Sequence, residues 1–340
     1  MGRLPRWALL GLSLLAGCGS CGRAGPSAGD GPTPHVRCIA GSPPAEGRIE
    51  VGGTILTIQG RELKVEGLDP PITLAAFSGP APAPTVPSEL LAALKAAAPD
   101  LVLMLGGAGD TPEQARTTLE ALAGLPAPTL FLAGGRDVPQ RVHEARAALG
   151  APAERIIDVT PLQSIRVGND TLVPVAGAAG GRYAAGPEAC GHTLEDLKGL
   201  AADLGPAPAD GRRYLLAWNA PGLGGAAAVA RTDTGVDVGS ADLAELARRV
   251  GAPGGLFAWP RVQALRPAAS AGARPLSPGE AAADLRMVVP RLGAPAVERA
   301  DGSRLPPGFA LVSLDEHGLG LSKFVAITKR NQGLAEQSSD

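Results

Sequence analysis

Residues 101–137, LVLMLGGAGDTPEQARTTLEALAGLPAPTLFLAGGRD, contain two apolar runs separated by a helical segment. Residues 101–105 and 129–133 have the length and apolar character of strands that are buried on both faces. Between them, Thr111-Pro112-Glu113-Gln114 is typical of a helix start, with a threonine N-cap, a proline at the first position and a glutamine that closes a capping box. A strand, a helix and a second strand in this order predict part of a parallel α/β sheet.

The same alternation continues on both sides of this stretch. The predicted elements are an apolar strand at 72–77, a helix around 90–94, a helix at 138–149 closed by Gly150, a hairpin turning at 168–170, a helix from Thr193, strands at 214–217 and 255–258 around a helix at 240–250, and two closing strands within 308–325. A short β-hairpin at 48–66 precedes them. Together they predict an α/β fold.

The N-terminus has the pattern of an export signal. Arg3 and Arg6 precede an apolar run at 7–16, which is shorter than the roughly 20 residues of a transmembrane helix and fits a signal-peptide core. The run ends at Leu15-Ala16-Gly17-Cys18, which resembles the bacterial lipobox. The resemblance implies cleavage before Cys18 and a lipid anchor on its thiol, and Gly19, instead of an aspartate, points to the outer membrane. The alternative is an ordinary secretory signal that happens to contain a cysteine.

Composition limits the expected partners. Without residues 1–17 the chain has 29 basic and 33 acidic residues, a formal net charge of −4. This balance does not favour nucleic acid, which calls for a basic patch. The expected partner is therefore a membrane, through the lipid, and a protein partner in the cell envelope is left open.

The cysteines predict one disulfide. Disulfides persist in the oxidising compartments that exported proteins enter. Cys21 lies in the predicted tether, so Cys38 and Cys190 are the predicted pair, and the alternative is three free thiols. Closing so long a loop would stabilise the fold by on the order of 5 kcal/mol in the chain-entropy model.

Short motifs follow successive apolar runs, and their order and spacing resemble the calcineurin-like metallophosphoesterases from about residue 72 to 321. The motifs are Phe77-Ser78-Gly79-Pro80, Leu105-Gly106-Gly107-Ala108-Gly109-Asp110, Gly134-Gly135-Arg136-Asp137, Trp218-Asn219-Ala220-Pro221-Gly222 and Ala258-Trp259-Pro260-Arg261. The resemblance implies a four-layer αββα sandwich with a two-metal site at the carboxyl ends of the strands. Together with the export signal and the composition of the chain, it predicts a signal peptide (1–17), a lipidated flexible tether (18–36), an N-terminal β extension (37–71), a metallophosphoesterase-like domain (72–325) and a disordered tail (326–340).

The side chains that the family uses as metal ligands are replaced in this chain. The replacements are Gly107 for the bridging aspartate, Gly135 and Arg136 for an asparagine and a histidine, Trp218 for a histidine, and Trp259 and Arg261 for two histidines. Glycine has no side-chain donor, the indole N–H is a donor only, and arginine repels divalent cations. Asp110, Asp137 and Asn219 remain. The resemblance therefore implies a degenerate site without metal or other cofactor, and a binding or structural role in the cell envelope.

Three alternatives stay open at this point. The chain could be an active phosphoesterase whose ligands have moved to Asp110, Asp137, Asn219 and His192. Glu188, Cys190 and His192 could bind a metal together, although a helix-start loop is the simpler interpretation. The glycine loops could bind phosphate through backbone N–H groups, but the Gly-Lys-Ser/Thr of a P-loop is missing after Gly107.

The replacements also predict how the site is filled. If the alignment holds, Trp218, Trp259 and Arg261 lie together beside Gly107 and Gly135. Two indoles would occupy the volume of the ions and their ligands, and Arg261 would stack on a ring or pair with Asp110 or Asp137.

Overall fold

The computed structural model describes residues 36–39, 44–80, 86–179, 184–224, 228–230, 236–258, 268–271, 274–293, 297–298 and 304–326, which belong to one compact unit, Thr33–Asp340. The predicted signal peptide, Cys18 and the 326–340 tail beyond Ala326 lie outside these residues.

The described strands, in chain order, are β1 (Val36–Arg37), β2 (Gly47–Val51), β3 (Thr54–Gln59), β4 (Glu62–Glu66), β5 (Ile72–Phe77), β6 (Leu101–Leu105), β7 (Thr129–Leu132), β8 (Ile156–Asp158), β9 (Ser164–Val167), β10 (Asp170–Val175), β11 (Ala178–Ala179), β12 (Cys190–His192), β13 (Arg213–Ala217), β14 (Gly254–Phe257), β15 (Ala268–Ala271), β16 (Arg274–Pro275), β17 (Glu280–Ala282), β18 (Leu285–Val288), β19 (Val297–Glu298), β20 (Arg304–Leu305), β21 (Gly308–Asp315) and β22 (Gly318–Ala326). The described helices are α1 (Ser88–Ala97), α2 (Pro112–Ala123), α3 (Pro139–Ala147), α4 (Leu194–Leu204) and α5 (Ala241–Val250), with a 3₁₀ helix at Ala151–Arg155.

One sheet has seven strands in the order β17-β22-β21-β5-β6-β7-β8. Strands β5 to β8 are parallel, and α1, α2 and α3 connect them in turn. The closing strands β21 and β22 form an antiparallel hairpin that joins this sheet through β5. The parallel strands predicted around residues 101–137 therefore form the core of this sheet.

The second sheet has ten strands in the order β16-β15-β18-β14-β13-β10-β9-β4-β3-β2. Its centre is parallel, since β10, β13, β14 and β18 run in the same direction. Helix α4 precedes β13 in the chain, and α5 connects β13 to β14.

The two sheets pack as an α/β sandwich around one hydrophobic core. All five residues of β6 and all five of β13 are buried, as expected for strands covered by helices on one face and by the other sheet on the opposite face. Helix α2 packs against α3, and α4 packs against α5. The predicted fold class is thus confirmed.

The segment before β5 contains more than the predicted hairpin. Strands β2, β3 and β4 form an antiparallel meander, and β4 pairs in parallel with β9. The alternating residues of β3 and β4 therefore extend the ten-stranded sheet.

The helix ends differ in detail from the sequence prediction. The Thr111 hydroxyl accepts the Gln114 N–H, but the Gln114 side chain binds the N–H of Asp110 instead of closing the box on Thr111. Helix α3 ends at Ala147, and Gly150 with φ 64° starts the 3₁₀ helix. By contrast, Thr193 opens α4 with a complete capping box to Asp196.

The predicted disulfide between Cys38 and Cys190 is confirmed, with the two Cα atoms 5.6 Å apart. Beside it, β1 pairs in parallel with β12, and the Arg37 guanidinium binds the buried carboxylate of Asp196. Residues 36–39 are therefore held by a covalent bond, a strand pairing and an ion pair.

Among the helices of the described residues, none is both long enough and apolar enough to span a membrane.

Candidate functional site

The loops that follow β5, β6 and β7 meet at one edge of the seven-stranded sheet, because these parallel neighbours end on the same side. The N–H of Gly79 donates to the Gly106 carbonyl over 2.6 Å. A Cβ on Gly79 would lie 2.2 Å from the carbonyl oxygen of Gly107. Gly106 and Gly107 have φ angles of +73° and +78°, a conformation that favours glycine. The glycines predicted at these turns therefore allow two loops to touch.

Asp137 joins the loops after β6 and β7. Its carboxylate is buried and accepts the N–H groups of Gly107 and Ala108, each over 2.8 Å, and of Gly134 over 2.7 Å. The Asp137 carbonyl accepts the N–H of Cys190 over 2.9 Å. One residue thus links two loops of this edge to the disulfide.

The environment of Asp137 changes its acidity. Burial raises the pKa of Asp137 from 3.8 to about 6, although the three N–H donors act in the opposite direction, and the negative charge of Asp110 adds to the rise.

Asp110 and Arg136 form a bidentate ion pair. Nε of Arg136 donates to Oδ1 of Asp110 over 3.2 Å, and Nη2 donates to Oδ2 over 2.7 Å. About a third of each side chain is exposed, 30% for Arg136 and 35% for Asp110. Arg141 on α3 donates to the Asp110 carbonyl over 2.8 Å and pairs with the exposed Glu188. The Asp110 carboxylate is therefore bound on two oxygens by a guanidinium.

Trp218 directly follows β13 of the ten-stranded sheet, and its side chain reaches the loops after β6 and β7. The side chain is buried, at 3% exposure. A Cβ on Gly134 would lie 2.2 Å from Cε3 of Trp218, and one on Gly106 would lie 2.5 Å from it. The indole therefore packs directly on two glycine backbones, each one residue before the predicted neighbours Gly107 and Gly135. Its Nε1 has no acceptor within the part of the chain that the structure describes.

The other predicted site residues have structural contacts. Oδ1 of Asn219 accepts the N–H of Ala179 over 3.2 Å. The carbonyl of Gly135, which is itself buried, accepts the N–H of Ala185 over 2.7 Å. Trp259 and Arg261 lie outside the described residues, so their predicted contact with Trp218 stays a prediction.

The Glu188, Cys190 and His192 group is not arranged as a metal site. Cys190 is in the disulfide. Glu188 is exposed and pairs with Arg141, whereas His192 is buried with Nδ1 2.9 Å from the Ala176 carbonyl. The simpler interpretation predicted a helix-start loop, whereas Cys190 and His192 lie in the short strand β12, directly before the Thr193 N-cap of α4.

Arg291 reaches this edge from residues 261–305, a stretch rich in Pro, Ala and Arg for which the sequence predicts no defined elements. It pairs with Ser78 in a parallel bridge at the end of β5. Its side chain is partly buried, and the pKa of Arg291 is lowered by burial and by the positive charge of Arg136. Residues 261–305 carry no clear periodicity, so no sequence signal identified Arg291.

The residues at this edge do not fit a two-metal centre. Such a centre needs several carboxylate and imidazole ligands that converge. Here the two oxygens of Asp137 accept three backbone N–H groups, and both oxygens of Asp110 bind Arg136. The described residues include no group of three or more His, Cys, Asp or Glu side chains that could hold a metal ion.

Replacement of Gly134 by alanine tests the packing of Trp218. The added methyl group would overlap the indole, so we expect a loss of about 1–3 kcal/mol in the free energy of unfolding and a changed tryptophan emission. The matched control is Gly199→Ala on α4, where a Cβ meets no atom within 4 Å; it should be neutral or stabilising. Equal stability of Gly134→Ala and the wild type would contradict the packing.

Replacement of Asp137 by asparagine tests the buried carboxylate. The amide group has N–H donors where the site needs acceptors, so the variant should be less stable. The pKa of Asp137 is higher in the folded state than in the unfolded state, so protonation of Asp137 stabilises the fold. This contribution is fully present below pH 3.8 and is lost as the pH rises through about 6. Denaturant unfolding from pH 4 to pH 7 should therefore show the wild-type advantage shrinking as the pH rises. A constant or growing difference would argue against this ionisation.

Comparison with known proteins supports the fold. No protein-family model matches the chain, and no curated protein matches its sequence. The chain is similar to the crystal structure of TT1561 of Thermus thermophilus, with a TM-score of 0.51 and 14% identity over 76% of this chain and 99% of that one. A second solved structure has a TM-score of 0.48 and 11% identity over 76% of this chain and all of that one. The likeness to TT1561 shows a shared fold, in agreement with the α/β sandwich.

Proposed function

We propose that this chain is a membrane-anchored lipoprotein whose globular part is a catalytically degenerate metallophosphoesterase-like domain. Its role is binding or structural, in the cell envelope and most simply at the outer membrane. The observation that carries the proposal is the packed strand edge, where Asp137 is enclosed by N–H donors and Trp218 lies on Gly106 and Gly134.

The position of the motifs supports the family resemblance. The loops after β5, β6 and β7 touch one another, and the residue after β13 reaches them from the second sheet. Loops from both sheets of a sandwich would need to converge in this way to build a shared two-metal site. The same loops here carry glycine, arginine and tryptophan at the ligand positions.

The contacts of the remaining polar residues support a non-catalytic role. A metal-bound hydroxide requires ligands that can donate electron pairs to the ion. The electron pairs of Asp137 and Asp110 are used by N–H donors of the backbone and of Arg136. Opening these contacts would expose three buried backbone N–H groups without acceptors, which is costly.

The alternative is an active phosphoesterase with relocated ligands. It would use Asp110, Asp137, Asn219 and His192. Asn219 binds the N–H of Ala179 through its oxygen, and Nδ1 of His192 lies against the Ala176 carbonyl. Each side chain already has a backbone partner, Ala179 of β11 for Asn219 and Ala176 for His192, which disfavours their use as metal ligands.

Metal content and hydrolysis separate the two functions. We expect the full chain, purified from membranes in detergent, to carry no stoichiometric manganese, iron or zinc and to leave an aryl phosphate intact when these metals are added. Stoichiometric metal together with hydrolysis that Asp110→Ala abolishes would overturn the proposal. Elemental analysis measures the metal content, and a chromogenic assay measures hydrolysis of the aryl phosphate.

The anchor is tested separately. The sequence Leu15-Ala16-Gly17-Cys18 motivates it, and mass spectrometry of the mature N-terminus should detect acylated Cys18. Cys18→Ser should release the protein from the membrane fraction, whereas the matched Cys21→Ser should not. An intact Met1, or a free N-terminus further along the chain, would disprove the anchor.

A further inference from the structure

Strand β2 lies at an edge of the ten-stranded sheet. It pairs with β3 on one side, and in the part of the chain that the structure describes no strand pairs with it on the other side. An edge strand of this kind leaves a row of backbone N–H and C=O groups that can pair with another strand. The outer edge of β2 is therefore a surface for strand pairing.

The other edges of the two large sheets are short or contain proline. At the opposite edge of the ten-stranded sheet, β16 has two residues and ends in Pro275. The seven-stranded sheet ends in β8 and β17, which have three residues each. Short edge strands and proline both hinder pairing with another chain. Strand β2, with five residues and no proline, is the best suited of these four edges.

The turn after β2 fixes which backbone groups face the edge. The dipeptide Gly52-Gly53, with φ angles of 60° and 88°, is a two-residue hairpin turn, so the residues that flank it, Val51 and Thr54, form a hydrogen-bonded pair. Hydrogen-bonded and non-hydrogen-bonded pairs alternate along an antiparallel ladder. The N–H and C=O groups of Arg48 and Glu50 therefore point away from β3, toward the free edge.

The side chains of the same two residues carry opposite charges. Arg48 and Glu50 are exposed, and they lie on one face of β2 because they are two positions apart in a strand. Ile49, between them, is half-buried against the hydrophobic core. Among the described residues, neither charged side chain has an ion pair or a hydrogen bond. The edge thus presents one positive and one negative group that are available to another chain.

We propose that β2 pairs antiparallel with β2 of a second copy of this chain, with Ile49 of one copy opposite Ile49 of the other. Arg48 of each copy then lies opposite Glu50 of the other, so opposite charges meet on both sides of the twofold axis. These are also the residues whose backbone groups face the edge, so each Arg48–Glu50 pair exchanges backbone hydrogen bonds. The inference goes beyond the proposed function and does not depend on it.

The charges and the backbone select this register. A shift by one residue places outward-facing backbone groups opposite inward-facing ones, so the ladder cannot form. A shift by two residues places either Arg48 opposite Arg48 or Glu50 opposite Glu50, and like charges that are directly opposite destabilise a strand pair. The register centred on Ile49 also uses the whole strand, since Gly47 of one copy faces Val51 of the other.

Disulfide cross-linking tests the pairing and its register. The full chain is purified in detergent with Cys21→Ser, and single cysteines are added on β2 and oxidised. Ile49→Cys should form covalent dimers, because the Cα atoms of a non-hydrogen-bonded pair lie about 4.5 Å apart. Arg48→Cys or Glu50→Cys alone should not, because each lies roughly 8 Å from its own copy. A mixture of these two variants should cross-link, since their Cα atoms lie about 5.5 Å apart.

Charge reversal tests the recognition of one copy by another. In the Ile49→Cys background, Arg48→Glu places like charges opposite each other in both pairs and should lower the yield of cross-linked dimer about fivefold or more. The double variant Arg48→Glu/Glu50→Arg exchanges the charges and should restore the yield. The matched control Lys64→Glu lies on the same face but two strands from the edge, and it should leave the yield unchanged.

The possible results are decisive in both directions. The inference is overturned if neither Ile49→Cys nor the mixed Arg48→Cys and Glu50→Cys variants cross-link above the Cys21→Ser parent. Equal yields for Arg48→Glu and the double charge variant would also overturn it, and so would stronger cross-linking of Glu50→Cys alone than of Ile49→Cys. If Ile49→Cys unfolds, the mixed variants still test the pairing, because both of their positions are exposed. Metal content and hydrolysis are measured separately, so failure here leaves the proposed function untouched.

Discussion

The carboxylate of Asp137 is buried between two loops and satisfies three backbone N–H groups that would otherwise have no acceptor there. Burial of a charge is costly unless hydrogen bonds compensate for it, and here burial and hydrogen bonding act on the pKa of Asp137 in opposite directions. The turns at Gly107 and Gly134 depend on this compensation. The same residue binds Cys190 through its carbonyl, so the disulfide that holds residues 36–39 is connected to the strand edge.

Around this carboxylate, the loops pack closely because three turn positions are glycines. Gly79, Gly106 and Gly134 have no side chains, which lets one loop approach the next and lets Trp218 lie on the backbone. A hydrated centre with two metal ions would need open space and converging ligands at this point. Here the indole packs on the glycine backbones, Asp137 and Asn219 bind backbone N–H groups, and Asp110 binds Arg136. The edge of the sandwich is thus packed, and the Asp110–Arg136 ion pair at it is partly exposed.

Much of the fold was predictable because it depends on local patterns. Apolar runs of strand length predicted β5, β6, β7 and β13, and the Thr111-Pro112 start predicted α2. The Cys38–Cys190 pair followed from compartment and position. The third strand of the N-terminal meander and the partner of Gln114 were not predicted. Strand β4 pairs with β9, and the Gln114 side chain accepts the Asp110 N–H, and both contacts form only when the chain is folded.

The sequence by itself determined the order of strands and helices and the residue types, many of them glycine, at the turns that end the strands, since these are properties of residue identity and spacing. Only the tertiary structure decided which groups neutralise one another. Asp137 accepts two N–H groups of another loop and one of its own, Asp110 is paired with Arg136, and Arg291 lies in a segment without clear periodicity. Such contacts join residues that are up to about two hundred positions apart in the chain, as Ser78 and Arg291 are. They depend on how two sheets pack, and hydrophobic periodicity carries no information about partners across that interface.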